Sequence, residues 1–260
     1  MVGLAESDYR VVLPLLDRVP FNVLLARAVA DGSAAGEIYV DSRDPASCYV
    51  RHAYGMSFLV GEPRDESCRA ALLRRLADRT RRDGATEMLQ AYPESWHDAI
   101  APLVRDGAVK LWGRTNFRFE ESVFRARWPA PPGGEDTVRC DASHLARFAG
   151  SVTADRFWKS ANDFLACGVG FASVEADGSV ASIAFSAYRD ARRLEIGVET
   201  APACRGRGLA TRTSARLVRY CLEHGLEPVW SCRTENEGSY RLAERLGFAP
   251  CLRHPYYELA

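Results

Sequence analysis

Alternating apolar and polar positions in the second half of the chain predict a group of β-strands followed by a long helix. Val169–Glu175 and Val180–Tyr188 alternate on either side of Asp177-Gly178, a turn dipeptide typical of an antiparallel hairpin. A third alternating run at 194–199 predicts another strand. Apolar residues then recur at helical spacing over 209–224, which predicts a helix with one buried face.

Shorter signals complete the second half. Capping residues and glycines mark where helices begin and end, and apolar runs mark strands. In chain order, these signals predict a helix that Asp141 caps, a helix over Arg156–Ala166, a strand over Pro228–Cys232, a helix that Asn236 caps and Gly247 closes, and one or two strands over Phe248–Leu259. The mixture of strands and helices predicts an α/β fold with a mixed sheet.

The first half predicts a similar order of elements. Its signals indicate helices over Val11–Leu16 and Val23–Ala30, strands near Ile38, Tyr49 and Phe58, a helix over Arg69–Arg82, a strand near Met88, a helix over Ser95–Arg105, and strands between Val109 and Arg127. This order suggests that the two halves are structurally related, although they share no sequence repeat. We therefore expect a smaller N-terminal α/β half before the C-terminal one.

A proline- and glycine-rich stretch lies between the halves. Residues 128–136 read W-P-A-P-P-G-G-E-D, a composition that resists both helix and sheet. We therefore predict an N-terminal α/β domain at 1–127, a linker at 128–136 and a C-terminal domain at 137–260.

Composition narrows the function classes. The chain has 260 residues with 34 basic and 34 acidic side chains, so its formal net charge is zero. Such a balance argues against a dedicated nucleic-acid surface, and no apolar run approaches the roughly 18 residues of a membrane span. Met1–Arg10 lacks the features of an export signal, so a cytoplasmic location is expected. Small molecules are the expected partners.

The eight cysteines are scattered without a C-x-x-C pair, which favours free thiols over a disulfide framework or a metal knuckle. Two C-x-x-H pairs, Cys221/His224 and Cys251/His254, are better explained as ordinary core and surface positions than as half-sites for zinc. We therefore predict no metal site.

The stretch Pro202–Ala210 carries the clearest chemistry. It follows a predicted strand and opens the long helix, so unpaired backbone N–H groups and the positive end of the helix dipole meet there. Gly206 and Gly208 permit close approach of a ligand, and Arg205 and Arg207 supply charge for phosphate oxygens. This arrangement suits a pyrophosphate, whereas the dinucleotide and Walker A glycine patterns do not fit. A structural connection with surface arginines is the alternative.

This stretch resembles a known family. Arg205-Gly206-Arg207-Gly208-Leu209-Ala210 matches the R/Q-x-x-G-x-G/A signature of the GNAT superfamily of acyl-CoA-dependent N-acetyltransferases. Asn236, Ser239 and Gly247-Phe248 look like the N-x-x-A/S…G-F ending of that family's last helix. The resemblance covers essentially all of 137–260, and the P-x-W-x-C run at 228–232 is similar to bacterial two-part GNAT proteins of undefined substrate. If the N-terminal half shares the fold, it is a degenerate copy without a phosphate loop.

The resemblance implies a GNAT fold in the C-terminal half and acetyl-CoA as cosubstrate. It implies direct transfer: the amine attacks the thioester carbonyl in a ternary complex, and CoA thiolate leaves. The residues it places against the cosubstrate are Val198, Glu199, Thr200, Arg205, Gly206, Arg207, Gly208, Leu209, Ala210, Asn236 and Ser239. Within this set, a backbone N–H around 198–200 would hold the thioester oxygen.

Three side chains are candidates for proton transfer. Glu195 and Glu199 share one face of a strand, with Gly197 between them leaving space, and either can act as general base for the amine. Two solvated glutamates are the alternative interpretation. The tyrosine that the family uses as an acid is replaced by Ala243, and Tyr240, one helical turn earlier, is the substitute candidate or a packing residue.

These observations predict an N-acetyltransferase that moves an acetyl group from acetyl-CoA to a primary amine of a small molecule or peptide. The competing hypothesis is an acyl-CoA-binding regulatory or scaffold module without turnover, which Ala243 keeps open. The N-terminal half is expected to shape access of the acceptor.

Overall fold

The structure is a computed structural model that describes residues 1–62, 65–67, 69–74, 86–129, 137–148 and 150–259. Its contacts divide the chain into two compact units. Unit 1 comprises Met1–Thr115, Arg233–Glu235 and Arg253–Ala260, and unit 2 comprises Asn116–Cys232 and Asn236–Leu252. The chain passes between the units within three strands, at 115–116, 232–233 and 252–253, and in a turn at 235–236, and not at the predicted linker 128–136, of which residues 130–136 lie outside the described part.

The strands are numbered in chain order. They are β1 Val2–Gly3, β2 Gly36–Val40, β3 Ser47–His52, β4 Met56–Gly61, β5 Glu87–Tyr92, β6 Val109–Phe119, β7 Thr137–Arg139, β8 Gly170–Val174, β9 Val180–Arg189, β10 Arg193–Thr200, β11 Glu227–Arg233 and β12 Phe248–Leu259. The predicted hairpin is confirmed as β8 and β9, and the last segment forms a single strand.

The α-helices are α1 Leu13–Leu16, α2 Leu24–Ala30, α3 Ser95–Arg105, α4 Glu121–Arg127, α5 Ala142–Arg147, α6 Ala154–Phe157, α7 Ala161–Cys167, α8 Leu209–Glu223 and α9 Glu237–Arg245. Short 3-10 helices span Glu6–Val12 and Pro202–Cys204. Residues 66–67 and 69–74 are also helical, while 75–82 of the predicted Arg69–Arg82 helix lie outside the described residues. No helix in the described ranges is long and apolar enough to cross a membrane.

Each unit contains the same five-strand pattern. In unit 1, β1, β2, β3 and β4 pair antiparallel in succession, and β5 then pairs parallel with β4. In unit 2, β7, β8, β9 and β10 pair antiparallel in succession, and β11 pairs parallel with β10. A parallel pair requires a crossover connection, which α8 provides in unit 2. The mixed α/β fold predicted from the sequence is confirmed.

The core of unit 2 lies between its strands and the apolar face of α8. Leu217, Val218 and Cys221 of α8 are fully buried with Leu194 of β10 and Trp230 of β11. Spacings of three and four residues bring the α8 positions onto one face of the helix. Burial raises the pKa of the Cys221 thiol to about 12, so this cysteine behaves as a packing residue.

Capping chemistry confirms the predicted start of α5. The Asp141 carboxylate accepts hydrogen bonds from Ser143 and from the backbone N–H of His144, while the Asp141 N–H donates to the His144 ring. These bonds, that of the Ser143 hydroxyl first, lower the pKa of Asp141 to about 2. The helix ends at Arg147 because Phe148 adopts an extended conformation and turns into the core.

Two predicted elements are wrong. The strand expected to continue towards Arg127 ends at Phe119, and α4 follows because Phe124 is buried on one side of that helix. The single helix predicted over Arg156–Ala166 is split into α6 and α7. Ser160 lies in an extended conformation between them, and its hydroxyl accepts the Asp163 N–H as an N-cap.

Candidate active site

The turn between β10 and α8 is shaped by two glycines with left-handed backbones. Gly206 has a φ of +79° and Gly208 a φ of +78°, conformations that disfavour other residues. A Cβ atom built at either position meets no atom within 4 Å, so both glycines border open space. The first backbone bond of α8 runs from the Arg212 N–H to the Gly208 carbonyl. The N–H groups of the preceding residues therefore lie at the open helix end, as anion binding requires.

The two loop arginines have different roles. The Arg205 side chain folds back, and its Nε donates to the Thr200 carbonyl at 3.2 Å, which braces the turn. The Arg207 guanidinium makes a paired contact with the Glu175 carboxylate, with N···O distances of 2.9 and 3.2 Å. Hydrogen bonding and charge from Glu175 raise the pKa of Arg207 above its ordinary value. Arg207 is thus held by the end of the β8–β9 hairpin beside the open glycines.

The parallel strands β10 and β11 separate in front of this turn. Among the described residues, their pairing covers Arg193, Leu194 and Glu195 opposite Glu227–Val229 and goes no further. On its other edge, β10 stays paired with β9 as far as Thr200. Among the described residues, β10 thus continues from Glu195 to Thr200, just before the glycine turn, without ladder pairing to β11, and we call this stretch between the strands the opening.

Backbone alternation shows which groups of β10 face this opening. The Ala201 N–H donates to the Ala181 carbonyl of the neighbouring chain segment, which places that N–H on the β9 side. Because successive residues of a strand point their N–H groups to opposite edges, those of Val198 and Thr200 point to the β11 side. Backbone donors therefore face the opening at two positions of the range 198–200, where the GNAT resemblance implies an oxyanion contact.

Glu195 lies at the closed end of the opening. It is 6% exposed, which excludes the solvated alternative for this residue. Its Oε1 accepts a hydrogen bond of 2.9 Å from the Ser231 hydroxyl on β11. The bond joins the two strands two residues beyond their last paired position at Val229. Glu195 is thus a buried carboxylate fixed where the strands part.

Glu199 is half-buried and bound to a different segment. Its carboxylate accepts the Ser151 hydroxyl at 3.1 Å and the Val152 N–H at 2.5 Å. A Cβ at Gly150 would lie 2.6 Å from Oε2, so the glycine permits this close contact. Glu199 therefore holds the segment that precedes α6.

The space predicted between the two glutamates is filled. Gly197 lies opposite Phe185 of β9, and a Cβ at Gly197 would lie 2.7 Å from the Phe185 ring. The glycine accommodates an aromatic core residue and does not leave room for a substrate. The expectation that it opens the site is wrong.

The last helix presents the other predicted residues. The Asn236 side chain caps α9 by accepting the Ser239 N–H at 3.1 Å, as predicted. The Ser239 hydroxyl accepts the indole N–H of Trp230 at 3.2 Å. Tyr240 is half-buried, and its ring packs edge-to-face with the Phe117 ring, with 5.0 Å between the ring centroids. This contact agrees with the packing interpretation. Ala243 is fully buried in the core of unit 2.

Comparison with known proteins decides the family. The family model described as GNAT acetyltransferase matches residues 17–257. The chain belongs to this family. The resemblance drawn from the glycine–arginine motif is confirmed, and GNAT membership makes the chain an acyl-CoA-dependent acyltransferase.

Relatives support the same GNAT assignment. The chain is 24% identical over 237 residues to "Uncharacterized N-acetyltransferase YdfB" of Bacillus subtilis (strain 168), covering 88% of each protein. A crystal structure of a GCN5-related N-acetyltransferase-like protein from Streptococcus suis has a TM-score of 0.73 at 24% identity, covering 98% of this chain and 99% of that one. A tandem GNAT protein from the clavulanic acid biosynthesis pathway has a TM-score of 0.63 at 13% identity, covering 99% and 97%. The solved structures show that the GNAT fold is shared.

One group of residues beside the GNAT loop was missed by sequence reasoning. Arg127, Trp128 and Arg245 lie with Arg207 around a cavity of about 510 Å³. The only sequence signal was a basic residue in the last turn of α4 and of α9, where Arg is common for dipole reasons alone. Spatial proximity, not motif spacing, identifies this group.

Proposed function

We propose that the chain transfers an acetyl group from acetyl-CoA to a primary amine of a small molecule or peptide by direct transfer in a ternary complex. The observation that carries this proposal is the opening between β10 and β11, which ends at the open glycines of the α8 turn. An extended thioester with a pyrophosphate at one end requires such a strand-lined channel leading to an anion site. Family membership supports acyl transfer in general, and the channel supports a CoA donor.

In this proposal, the turn binds the pyrophosphate. The N–H groups at the start of α8 donate to its oxygens, and Arg207, fixed by Glu175, adds positive charge. Arg205 braces the turn through Thr200, so its main role is to position the loop. Asn236 and Ser239, at the start of α9, are the proposed polar contacts for the rest of the cosubstrate.

The reaction needs one acceptor for a proton and one donor for a developing oxyanion. We assign Glu195 as general base because it is a buried carboxylate at the opening, bound to Ser231. The Val198 N–H is the proposed donor to the thioester oxygen. The amine nitrogen forms a bond to the carbonyl carbon, the carbon–sulfur bond breaks, and the amine proton passes to Glu195. The CoA thiolate, with an ordinary pKa near ~8.5, can leave unassisted or take a proton from Tyr240.

The test measures binding and turnover separately. Calorimetric titration of acetyl-CoA into the full chain should give micromolar affinity, of about −8 kcal/mol. A panel of primary amines, from polyamines to peptide N-termini, is then screened by release of the CoA thiol and by mass of the acetylated product. Binding without product from any amine would favour a binding module, which the buried Ala243 at the family's tyrosine position suggests. Absence of binding would refute the proposal.

A further inference from the structure

The cavity of about 510 Å³ beside α8 has an unusual lining. Four arginines, Arg127, Arg207, Arg212 and Arg245, surround it together with Trp128. None of the described residues that line it is acidic. The chain as a whole carries equal numbers of basic and acidic residues, so this clustering does not follow from composition. The volume lies in the range of small-ligand pockets, roughly 300–1,000 Å³.

The end of α4 is fixed in place by α8. The Arg219 side chain, on α8, donates to the Trp128 carbonyl and lies over the Phe124 ring at 5.9 Å. Phe124 itself is fully buried, and the Trp128 ring packs against the core of unit 2. The arginine and the indole that reach the cavity from this side are therefore held by packed structure.

The end of α9 is fixed to α4 by a second set of bonds. The Arg127 guanidinium donates to the Glu244 carbonyl, and the Trp128 indole N–H donates to the Arg245 carbonyl at 3.5 Å. A guanidinium has five N–H groups, so Arg127 can make this bond and still donate to a ligand. Arg245 and Arg127 are thus brought to the same cavity by bonds within the protein.

The cavity is continuous with the proposed pyrophosphate site. Arg207 and Gly208 belong to the turn and also line the cavity. An anion in the cavity is therefore adjacent to the anion held by the start of α8. A CoA ester carries such a pair of groups, since its ribose bears a 3′-phosphate close to the pyrophosphate and an adenine base.

We propose that this cavity binds the 3′-phosphorylated adenosine of the acyl-CoA, with Arg127 and Arg245 on the 3′-phosphate and Trp128 against the adenine. Planar guanidinium groups suit a phosphate dianion, and an indole suits stacking of a base. The inference rests on the proposed function and deepens it: the chain selects CoA over cosubstrates that lack the 3′-phosphate. The selecting residues lie outside the glycine–arginine motif.

The experiment compares CoA with 3′-dephospho-CoA by calorimetric titration into the full chain. The wild-type chain should bind CoA at least about tenfold more tightly, the effect of one or two charge-assisted bonds. Arg245→Gln should reduce this ratio to within about twofold while leaving the affinity for dephospho-CoA unchanged. Arg127→Gln should lower the same affinity ratio, and it provides a second test if Arg245→Gln folds poorly. Arg241→Gln is the matched control, because Arg241 lies one turn earlier on α9 and pairs with Glu237.

Each outcome bears on the proposal. Equal affinity of the wild-type chain for the two ligands would overturn it and leave the proposed function intact. A ratio that both cavity variants preserve, or that Arg241→Gln lowers equally, would also overturn it. Failure of both ligands to bind would refute the proposed function as well. Displacement of CoA by adenosine 3′,5′-bisphosphate supports a nucleotide site, whereas equal displacement by inorganic phosphate would indicate a general anion site and contradict the proposal.

Discussion

The parallel strand pairs of the two units have the same topology but differ in how far their strands stay hydrogen-bonded. In unit 1, β4 and β5 pair at five successive positions, from Met56 opposite Met88 to Val60 opposite Tyr92. In unit 2, β10 and β11 pair at three positions, and β10 continues to Thr200 without them. One parallel pair is hydrogen-bonded along almost its whole length, and the other stops pairing part-way along β10. Among the described residues, the same strand order therefore leaves an unpaired stretch beside the parallel partner in unit 2 and not in unit 1.

Glycines after these strands show the same contrast. Gly61 at the end of β4 has a φ of +85°, and a Cβ there would lie 2.2 Å from the Ala46 carbonyl oxygen. Because Gly61 has no side chain, it can pack directly against the backbone at Ala46. Gly206 and Gly208, after β10, have similar φ values but border open space. A glycine with positive φ marks a ligand site only where its missing side chain faces a void.

The segments that follow β4 and β10 also differ in charge. After β4, the guanidinium of Arg69 lies near the carboxylates of Glu62 and Glu66, at 3.7 and 3.6 Å. After β10, the arginines outnumber the carboxylates and extend to a basic cavity. An anion would be repelled by Glu62 in the first case and attracted in the second. In charge as well, the described part of unit 1 therefore offers no counterpart to the arginine-lined glycine turn of unit 2.

The largest effect on this difference between the units is expected from a side chain that fills the open glycine turn of unit 2. Gly206→Glu places a side chain and a negative charge where the pyrophosphate is proposed to bind, and should weaken acetyl-CoA binding by at least about a hundredfold. The strained backbone costs about 1–2 kcal/mol of stability in addition. Isothermal titration and thermal unfolding measure the two effects separately.

Gly107→Glu is the matched control for this variant. Gly107 in unit 1 also has a positive φ, +73°, and open space around its Cβ position. It should suffer the same loss of stability with no change in acetyl-CoA affinity. If both glycine variants lose affinity equally, the effect is strain and the turn is not the binding site.

A second test compares two buried glutamates, one in each unit. Glu195→Gln should lower kcat by about a hundredfold with acetyl-CoA affinity unchanged, since it removes the proposed base and keeps the shape. Glu87 of unit 1 is 4% exposed and accepts bonds from Tyr49, Ser57 and Arg51. Glu87→Gln should lower the melting temperature and leave kcat of the folded fraction near the wild-type value. Full activity of Glu195→Gln would contradict the assignment of the base.

Local chemistry in the sequence was enough to predict much of this fold. The β8–β9 hairpin follows from alternation around a turn dipeptide, and α5 follows from Asp141 and its capping partners. The opening between β10 and β11 does not follow from local patterns, because it depends on where strand pairing stops, and only the family resemblance pointed to the stretch around 198–200. Burial of Glu195 was missed for a related reason: alternation identifies a polar face and does not show that Ser231 covers it.

A smaller effect is expected from the second strand glutamate. Glu199→Gln loses an acceptor for Ser151 or Val152, so the segment before α6 becomes less well positioned. We expect KM for the amine to rise about three- to tenfold with kcat within about threefold of wild type. Ser151→Ala removes one bond and keeps the charge, and should shift KM in the same direction. A fall in kcat as large as that of Glu195→Gln would instead make Glu199 the base.

The smallest expected effect on function, and a clear effect on stability, comes from a buried histidine in unit 1. His254 is 8% exposed, and its ring stacks on the Phe21 ring with 4.2 Å between the ring centroids. Burial lowers the pKa of His254 to about 4. The unfolded chain, with an ordinary histidine pKa near ~6.5, binds a proton more readily, so stability falls as the pH drops through this interval. Between pH 7 and pH 5, the free energy of unfolding should fall by about 2 kcal/mol.

His254→Phe keeps the stacking and should remove most of this dependence of the unfolding free energy on pH, as measured by urea unfolding at each pH. Parallel curves for the two proteins would show that His254 does not titrate on unfolding, and altered acetyl-CoA affinity would show that its role is not confined to stability.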